Sequence, residues 1–372
     1  MRLLVLLLFS QTVFALESHE YSKLANALLT DKLKNQIEFD WTDSLLTLSI
    51  ARSKDTLDIK ENLVKKVKKF YRQNEVNPVE ITSPDLLASV LGAIEFNKHG
   101  NKFKKTIQSG YRFLISEPRN EIGTLNHIGS RHRFSSLLPL TKNFVDDSLW
   151  ADSAVMYVIP AMMIGKMFKD KKLKSFARSQ LSLFEKYLKD NNGLYKHAYF
   201  LEDKVRYPEG EYYWLRGNAW ILFSLIELIE LESDKDLIKE YQKQFVQLYN
   251  QIILYQKDNG LFNTILTQKE IHNYEDSAGN ALILYAFLKA NRLGFIKTDN
   301  ITKKLYKALF KKIKFKSDFR AELTEVSGPT NAFKYYWYYT WLVGTQSNLG
   351  YGLGPFILAL NELELKTNND SK

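Results

Sequence analysis

Apolar residues recur along this chain at spacings of three and four, and almost nowhere alternate with polar ones. That periodicity predicts about twelve helices and no sheet of consequence. Six are amphipathic and Lys-rich, near 18–34, 59–73, 101–116, 171–190, 236–256 and 299–315. The other six are apolar on most sides and hold small and aromatic residues, near 40–53, 83–97, 146–168, 214–233, 273–295 and 350–364. A helix with one polar face lies on a surface, whereas one apolar all round is buried. The two kinds alternate strictly, so six outer helices pair with six inner ones. No single hairpin can bury its own apolar face, so neighbours close a ring. The expected class is all-α, an (α/α)6 barrel or six-hairpin toroid.

The connections give the ring a direction. After an inner helix the turn is short, as at "KDK" 169–171, "SDKD" 233–236 and "KTDN" 297–300. Before an inner helix it is long, over 117–145, 191–213, 257–272 and 316–349. Loops beyond about 12–15 residues are uncommon unless they serve a function. Parallel inner helices gather these loops, and their own N-termini, on one face, where helix dipoles favour an anion.

Composition narrows the setting. "MRLLVLLLFSQTVFA", residues 1–15, reads as a signal peptide, with Arg2, a short apolar core and Val13-Phe14-Ala15 at the cleavage site. Export to the periplasm or exterior is expected, leaving 16–372 as one barrel domain with no membrane span. There is no cysteine, which excludes disulfides, thiolate metal sites and a lipid-anchoring cysteine. The net charge of +10 sits largely on helix faces such as "NLVKKVKKFYRQ". It forms no basic cluster interleaved with aromatics, so nucleic acid is not an expected partner.

Residues that a buried helix would not choose collect at the inner-helix starts. They include Trp41 and Asp43, Asp85, Asp146, Asp147, Trp150 and Asp152, then Trp214, Arg216 and Trp220, and Tyr274 to Asp276. Asp43, Asp85 and Asp276 are either helix N-caps or site carboxylates. The glycines of "GYGLGP", 350–355, either belong to the site or let the last helix approach its neighbours closely. Asp152 follows Trp150 inside an apolar stretch, where burial would raise its pKa and suit a general acid. Arg216 between two indoles either meets an anionic ligand or pairs with a carboxylate such as Glu275 to tie helices together.

The segment "WADSAVM" resembles a W-x-D-x-x-x-M signature of the unsaturated rhamnogalacturonyl and unsaturated glucuronyl hydrolases, glycoside hydrolase families 105 and 88. "YYWLRGNAW" is similar to their W-x-R-G-N-G-W segment, "GLYKHAYF" to their "GLYYHGWD" loop, and "YEDSAGNALILYAFLKANRLGF" and "GYGLGPFILALNELE" to two later helices. The pieces keep family order over about 120–365. Between Met156 and Pro160 the spacing is one residue longer than the family pattern, and the loop from His127 to Trp150 is longer too.

The resemblance implies an (α/α)6 barrel that takes oligosaccharides left by polysaccharide lyases. It implies release of their 4,5-unsaturated terminal uronic acid by hydration of the double bond. Asp152 would be the acid/base and Asp85 a second aspartate. Trp150, Trp214 and Trp220 would stack on sugar faces, Trp41 would add a binding surface, and Arg216, His197 and His127 would position polar groups. No metal and no cofactor is implied, and the loop 316–349 would set the choice of polysaccharide. Two other readings stand beside it. "DDSLW" looks similar to the Asp-Asp pair of (α/α)6 endo-α-mannanases, with Asp146 and Asp147 as the retaining carboxyls. A non-catalytic glycan-binding protein would keep the aromatic cleft without the chemistry.

Overall fold

The computed structural model describes residues 18–98, 100, 102–130 and 147–370. The signal peptide at 1–15 and Asp146 lie outside the described residues. Outer helices α1 (Ser18–Lys32), α3 (Glu61–Val76), α6 (Lys104–Ser116), α8 (Lys171–Leu188), α10 (Lys235–Ile252) and α12 (Asp299–Phe310) alternate with inner ones. The inner set is α2 (Trp41–Ser53), the broken pair α4 (Pro84–Leu87) and α5 (Val90–Asn97), α7 (Ile159–Met167), α9 (Leu215–Leu231), α11 (Ser277–Arg292) and α14 (Gly350–Asp370). A further short helix, α13 (Trp337–Trp341), belongs to the long loop before α14.

The inner segments close a ring. α2 packs on α5, α5 on α7, α7 on α9, α9 on α11, α11 on α14, and α14 returns to α2. This is the (α/α)6 barrel. The two helix types bury as their patterns require. Every residue from Leu215 to Ile229 of α9 is buried, whereas α3 buries only Leu63, Val64, Val67, Tyr71 and Asn74. Short turns carry their own caps, with Asp170 accepting from Leu173 N at 3.0 Å and Asp234 from Asp236 N at 3.0 Å. Glycines of "GYGLGP" serve close approach. A Cβ at Gly354 would lie 2.4 Å from the Leu45 carbonyl carbon, so α14 and α2 touch backbone to backbone.

The structure corrects the predicted inner helix at 146–168. Ser148–Trp150 is a strand that pairs antiparallel with Ala198–Phe200, which in turn pairs with Val205–Tyr207. The helical part begins after Asp152, with a π-helical turn at Ala154–Val158 running into α7 at Ile159. A π turn accommodates one extra residue. It lies where the spacing from Met156 to Pro160 exceeds the family pattern by one. Pro160 stands in the first turn of α7, where a missing N–H costs little. α12 also ends earlier than predicted, and its tail forms the hairpin Ile313–Ser317 with Arg320–Leu323.

The inner helices' C-terminal ends meet in a charged cluster. Glu227, fully buried, is reached by Arg52 at 2.6 Å, Lys289 at 2.7 Å and the Tyr285 hydroxyl at 2.5 Å. Arg52 also binds Glu95, and Arg292 holds Glu362 and Glu230, around a polar cavity of about 290 Å³. Ion pairs therefore tie the inner helices together at this end.

Candidate active site

At the other end the inner-helix N-termini bring together residues far apart in sequence. Asp152 sits in the turn between Trp150 and the π segment, and its carbonyl accepts from Val155 N at 2.9 Å and Met156 N at 3.1 Å. It therefore precedes its helix rather than lying a turn inside it. The strand pairing explains the difference, because Ala151 N donates to His197 O at 2.8 Å and sets Asp152 beside that histidine. Asp152 Oδ2 lies 3.1 Å from His197 Nε2. Neither atom is aligned as a hydrogen bond, so both keep capacity toward a third group.

The predicted rise in the Asp152 pKa is overturned. Burial does push its pKa upward. The charge and hydrogen-bonding capacity of His197, with His127 and Arg216 nearby, outweigh burial and hold the carboxyl below its ordinary value. The raised carboxylate is Asp85, pushed up to about 7 by burial, the Asp152 charge and Asp40. Asp85 is half-buried and does not cap its helix, since Ser83 accepts from Leu86 N. Asp43 is no cap either; Asp40 takes that place on α2, and Asp43 pairs with Lys32 at 2.8 Å. Asp276 is a cap, accepting from Ala278 N and Gly279 N.

Burial works against a charge on either histidine. Burial lowers His197, and it lowers His127 to about 4. His127 stacks on Trp150 at 4.1 Å and meets Ser153 Oγ at 3.0 Å. His197 Nδ1 lies 2.8 Å from the Tyr339 hydroxyl, which itself accepts from Phe333 N at 3.0 Å. The same hydroxyl donates toward Phe333 O at 3.4 Å.

The four tryptophans expected to meet sugar lie in unlike surroundings. Rings are in contact from His127 to Trp150, to His197 and to Trp214, with centroids 4.1, 5.0 and 4.1 Å apart. Trp41 stacks on Tyr351 at 4.6 Å and is the least buried of the four expected tryptophans. Trp150 is packed between His127, His197, Phe200 and Ala332 rather than left open on one face. Trp214 is 1 % exposed, and Trp220 is fully buried in the main core, so neither presents a ring face to solvent.

Arg216 is placed differently from the expectation. It is buried, and its Nη1 and Nη2 donate to Asp276 (3.3 Å), Ser327 O (3.0 Å), Gly328 O (2.9 Å) and Thr330 Oγ1 (2.8 Å). Its guanidinium also lies over Trp214 at 4.7 Å and Tyr351 at 5.0 Å. The tie is to Asp276, since Glu275 is taken by Lys257 at 2.7 Å and Lys312 at 3.1 Å. The cation fastens the loop at 327–330 to α9 and α11 and lends its field to Asp152 and His197. Sequence reasoning missed Tyr339 and Tyr351. The first was one tyrosine among several in "KYYWYYTW", and the second was hidden among glycines.

Four polar atoms of this cluster, Asp152 Oδ2, His197 Nε2, Trp214 Nε1 and Arg216 Nε, are buried without a hydrogen-bond partner among the described residues. Two of them, Asp152 Oδ2 and His197 Nε2, face each other across 3.1 Å.

Comparison with known proteins agrees with the fold. A solved structure from Salmonella enterica serovar Paratyphi A, described as a possible member of the GH105 family, superposes with a TM-score of 0.81 at 17 % identity, covering 96 % of this chain and 97 % of that one. A family 105 glycoside hydrolase of C. acetobutylicum gives 0.79 at 21 % identity, over 93 % and 99 % of the two chains. An unsaturated glucuronyl hydrolase specific for heparin gives 0.71 at 15 % identity, over 94 % and 97 %. A 24.9 kDa protein from the picA locus of Rhizobium radiobacter is 26 % identical over 114 residues, 29 % of this chain. That match spans 49 % of the relative's length, so the chain covers about half of it. The model of Glycosyl Hydrolase Family 88 matches residues 20–366, nearly the whole ring, and the chain belongs to that family of hydrolases.

Proposed function

We propose that this protein releases a 4,5-unsaturated uronic acid from the non-reducing end of lyase-generated oligosaccharides by hydrating its C4=C5 double bond. The observation that carries the reading is Asp152 buried 3.1 Å from His197; Asp85 feels its charge, and the two carboxyls are shifted in opposite directions. Such a pair holds one proton near neutrality, resting on Asp85, and presents one carboxylate, Asp152. Hydration needs both forms. A proton leaves the pair for C4, and the ring oxygen stabilises the positive charge that develops at C5. Water then adds its oxygen to C5 and returns a proton to the pair. The hemiketal opens to a ketone, C1 becomes a hemiacetal, and the remaining sugar chain departs as an alcohol. The pair ends with the proton it began with.

Asp152 is the acid/base that faces the substrate, with Asp85 as its proton store. His197 and Tyr339 orient Asp152, and Trp41 supplies the sugar-facing ring. Arg216 supports the site through its field and the loop it holds. Loss of the ultraviolet absorbance of the unsaturated uronate, followed with an unsaturated disaccharide, tests the reading. Turnover that D152N abolishes is expected. Binding with no loss of absorbance would favour a glycan-binding protein, and turnover that survives D152N would sink the assignment of the acid/base.

A further inference from the structure

The facing atoms Asp152 Oδ2 and His197 Nε2 are sealed from solvent, as is the indole nitrogen of Trp214. A sugar ring cannot be brought against atoms that water itself does not reach, so something must move. One strap, residues 328–344, touches the site at three places. Ala332 packs with Trp150, Ala198 and Phe200. Thr330 Oγ1 meets Arg216 at 2.8 Å, and the Tyr339 hydroxyl meets His197 at 2.8 Å.

The ends of the strap are fixed and its middle is lightly held. Before it, Ser327 is buried, with its N–H on Asp276 at 2.9 Å and its carbonyl on Arg216 at 3.0 Å and the Tyr351 hydroxyl at 2.6 Å. After it, Asn348 is tied to Leu323 at 2.8 Å and Asp31 at 3.0 Å. The strap leaves and returns through two facing glycines, Gly328 N donating to Gly344 O at 2.9 Å. A Cβ at Gly344 would meet nothing within 4 Å, so no packing restrains the backbone there. Between the glycines, the apolar cluster that includes Ala332 is separate from the main core. Glu209 N donates to Lys334 O at 2.8 Å, and their half-exposed side chains pair at 3.3 Å. Tyr336 stacks on Tyr212 at 3.9 Å and donates to Glu270 at 2.7 Å, while Tyr274 donates to Val343 O at 3.0 Å. Exposed ion pairs add little, and segments with few buried apolar contacts open at low cost.

We propose that residues 329–343 are a lid, which swings on Gly328 and Gly344 to admit the unsaturated sugar and closes with Tyr339 back on His197. Opening takes the hydroxyl away from the histidine that faces Asp152, and closing returns it. One movement thus covers the substrate and completes the constellation around the carboxylate. The role of the lid in turnover rests on the function proposed above, whereas the movement itself does not.

The chain has no cysteine, so E209C/K334C can form one disulfide and no other. The two positions already touch through backbone and side chain. Oxidised, the double variant should turn over an unsaturated disaccharide about tenfold more slowly than when reduced, and dithiothreitol should restore the rate. A disulfide confirmed by mass that leaves the reduced rate unchanged overturns the lid. A second readout needs no turnover. Diethyl pyrocarbonate acylates imidazoles that solvent can reach, and peptide mass spectrometry separates the buried His197 from the exposed His272. Wild-type His197 should react in the folded protein, and in the locked variant about tenfold more slowly, with His272 unchanged. A wild-type His197 that stays unmodified while His272 reacts, or equal His197 rates in the locked and reduced variant, overturns the lid. If wild type consumes no unsaturated disaccharide yet His197 follows the expected pattern, the lid stands and the function proposed above fails by itself.

Discussion

His197 Nδ1 lies 2.8 Å from the Tyr339 hydroxyl, and its Nε2 lies 3.1 Å from Asp152. A side chain from the loop before α14 thereby holds one imidazole nitrogen while the other faces Asp152. Y339F removes the hydroxyl and leaves the ring contacts in place. Its kcat should fall about tenfold, less than the 10²–10⁴ expected of D152N, which removes the proposed acid/base. Stopped-flow loss of the substrate chromophore, with a thermal melt as control, measures both. A Y339F protein with wild-type kcat would show that the hydroxyl does not position His197.

Asp85 gives the molecule a pH dependence of known sign. Its carboxyl, raised to about 7, binds a proton in the folded state that the unfolded chain has released above about pH 4. Asp85 therefore lowers stability progressively as pH rises from about 4 to 7. D85N should be more stable than wild type at pH 8, by roughly 2–4 kcal/mol, with the gap closing toward pH 4. Denaturant titrations across that range test it. Wild-type activity should decline above pH 7 as Asp85 loses its proton, whereas the depressed pKa of Asp152 keeps that carboxylate charged throughout.

The ring was legible because burial writes a strong signal. Fifteen consecutive buried residues in α9 can satisfy their backbone only as a helix, and the Lys-rich faces of α3 and α12 can lie only outside. Asp152 and His197 were legible as types in a motif. Their electrostatics were not, because the pKa of Asp152 depends on a histidine 45 positions along the chain. The strand at 148–150 escaped notice for a similar reason. Three apolar or small residues carry no period of their own, and only pairing with 198–200 makes them extended.

Arg216 looked like a ligand group because it stands between two indoles, yet both its terminal nitrogens are taken by protein. R216M should therefore cost stability, about 3–5 kcal/mol, by leaving the Asp276 carboxylate and the Ser327 and Gly328 carbonyls without their cation. Urea unfolding measures this. A variant that folds as well as wild type and loses only substrate affinity would restore the ligand role.

At the opposite end, E227Q removes the anion that Arg52 and Lys289 share. These cations hold the Glu227 pKa far below its ordinary value, so its contribution is full above about pH 4.3 and lost as pH falls through the folded value. A loss of about 3–5 kcal/mol at pH 7 is expected, with unaltered kcat per folded molecule. A change in kcat at full folding would link this cluster to the chemistry.

That charged cluster also governs how the ring can come apart. Arg52, Glu227 and Lys289 stand on three different inner helices, and the buried carboxylate between them is shared. No one hairpin can peel away without leaving a buried charge alone, so the barrel is expected to open as a unit rather than piece by piece.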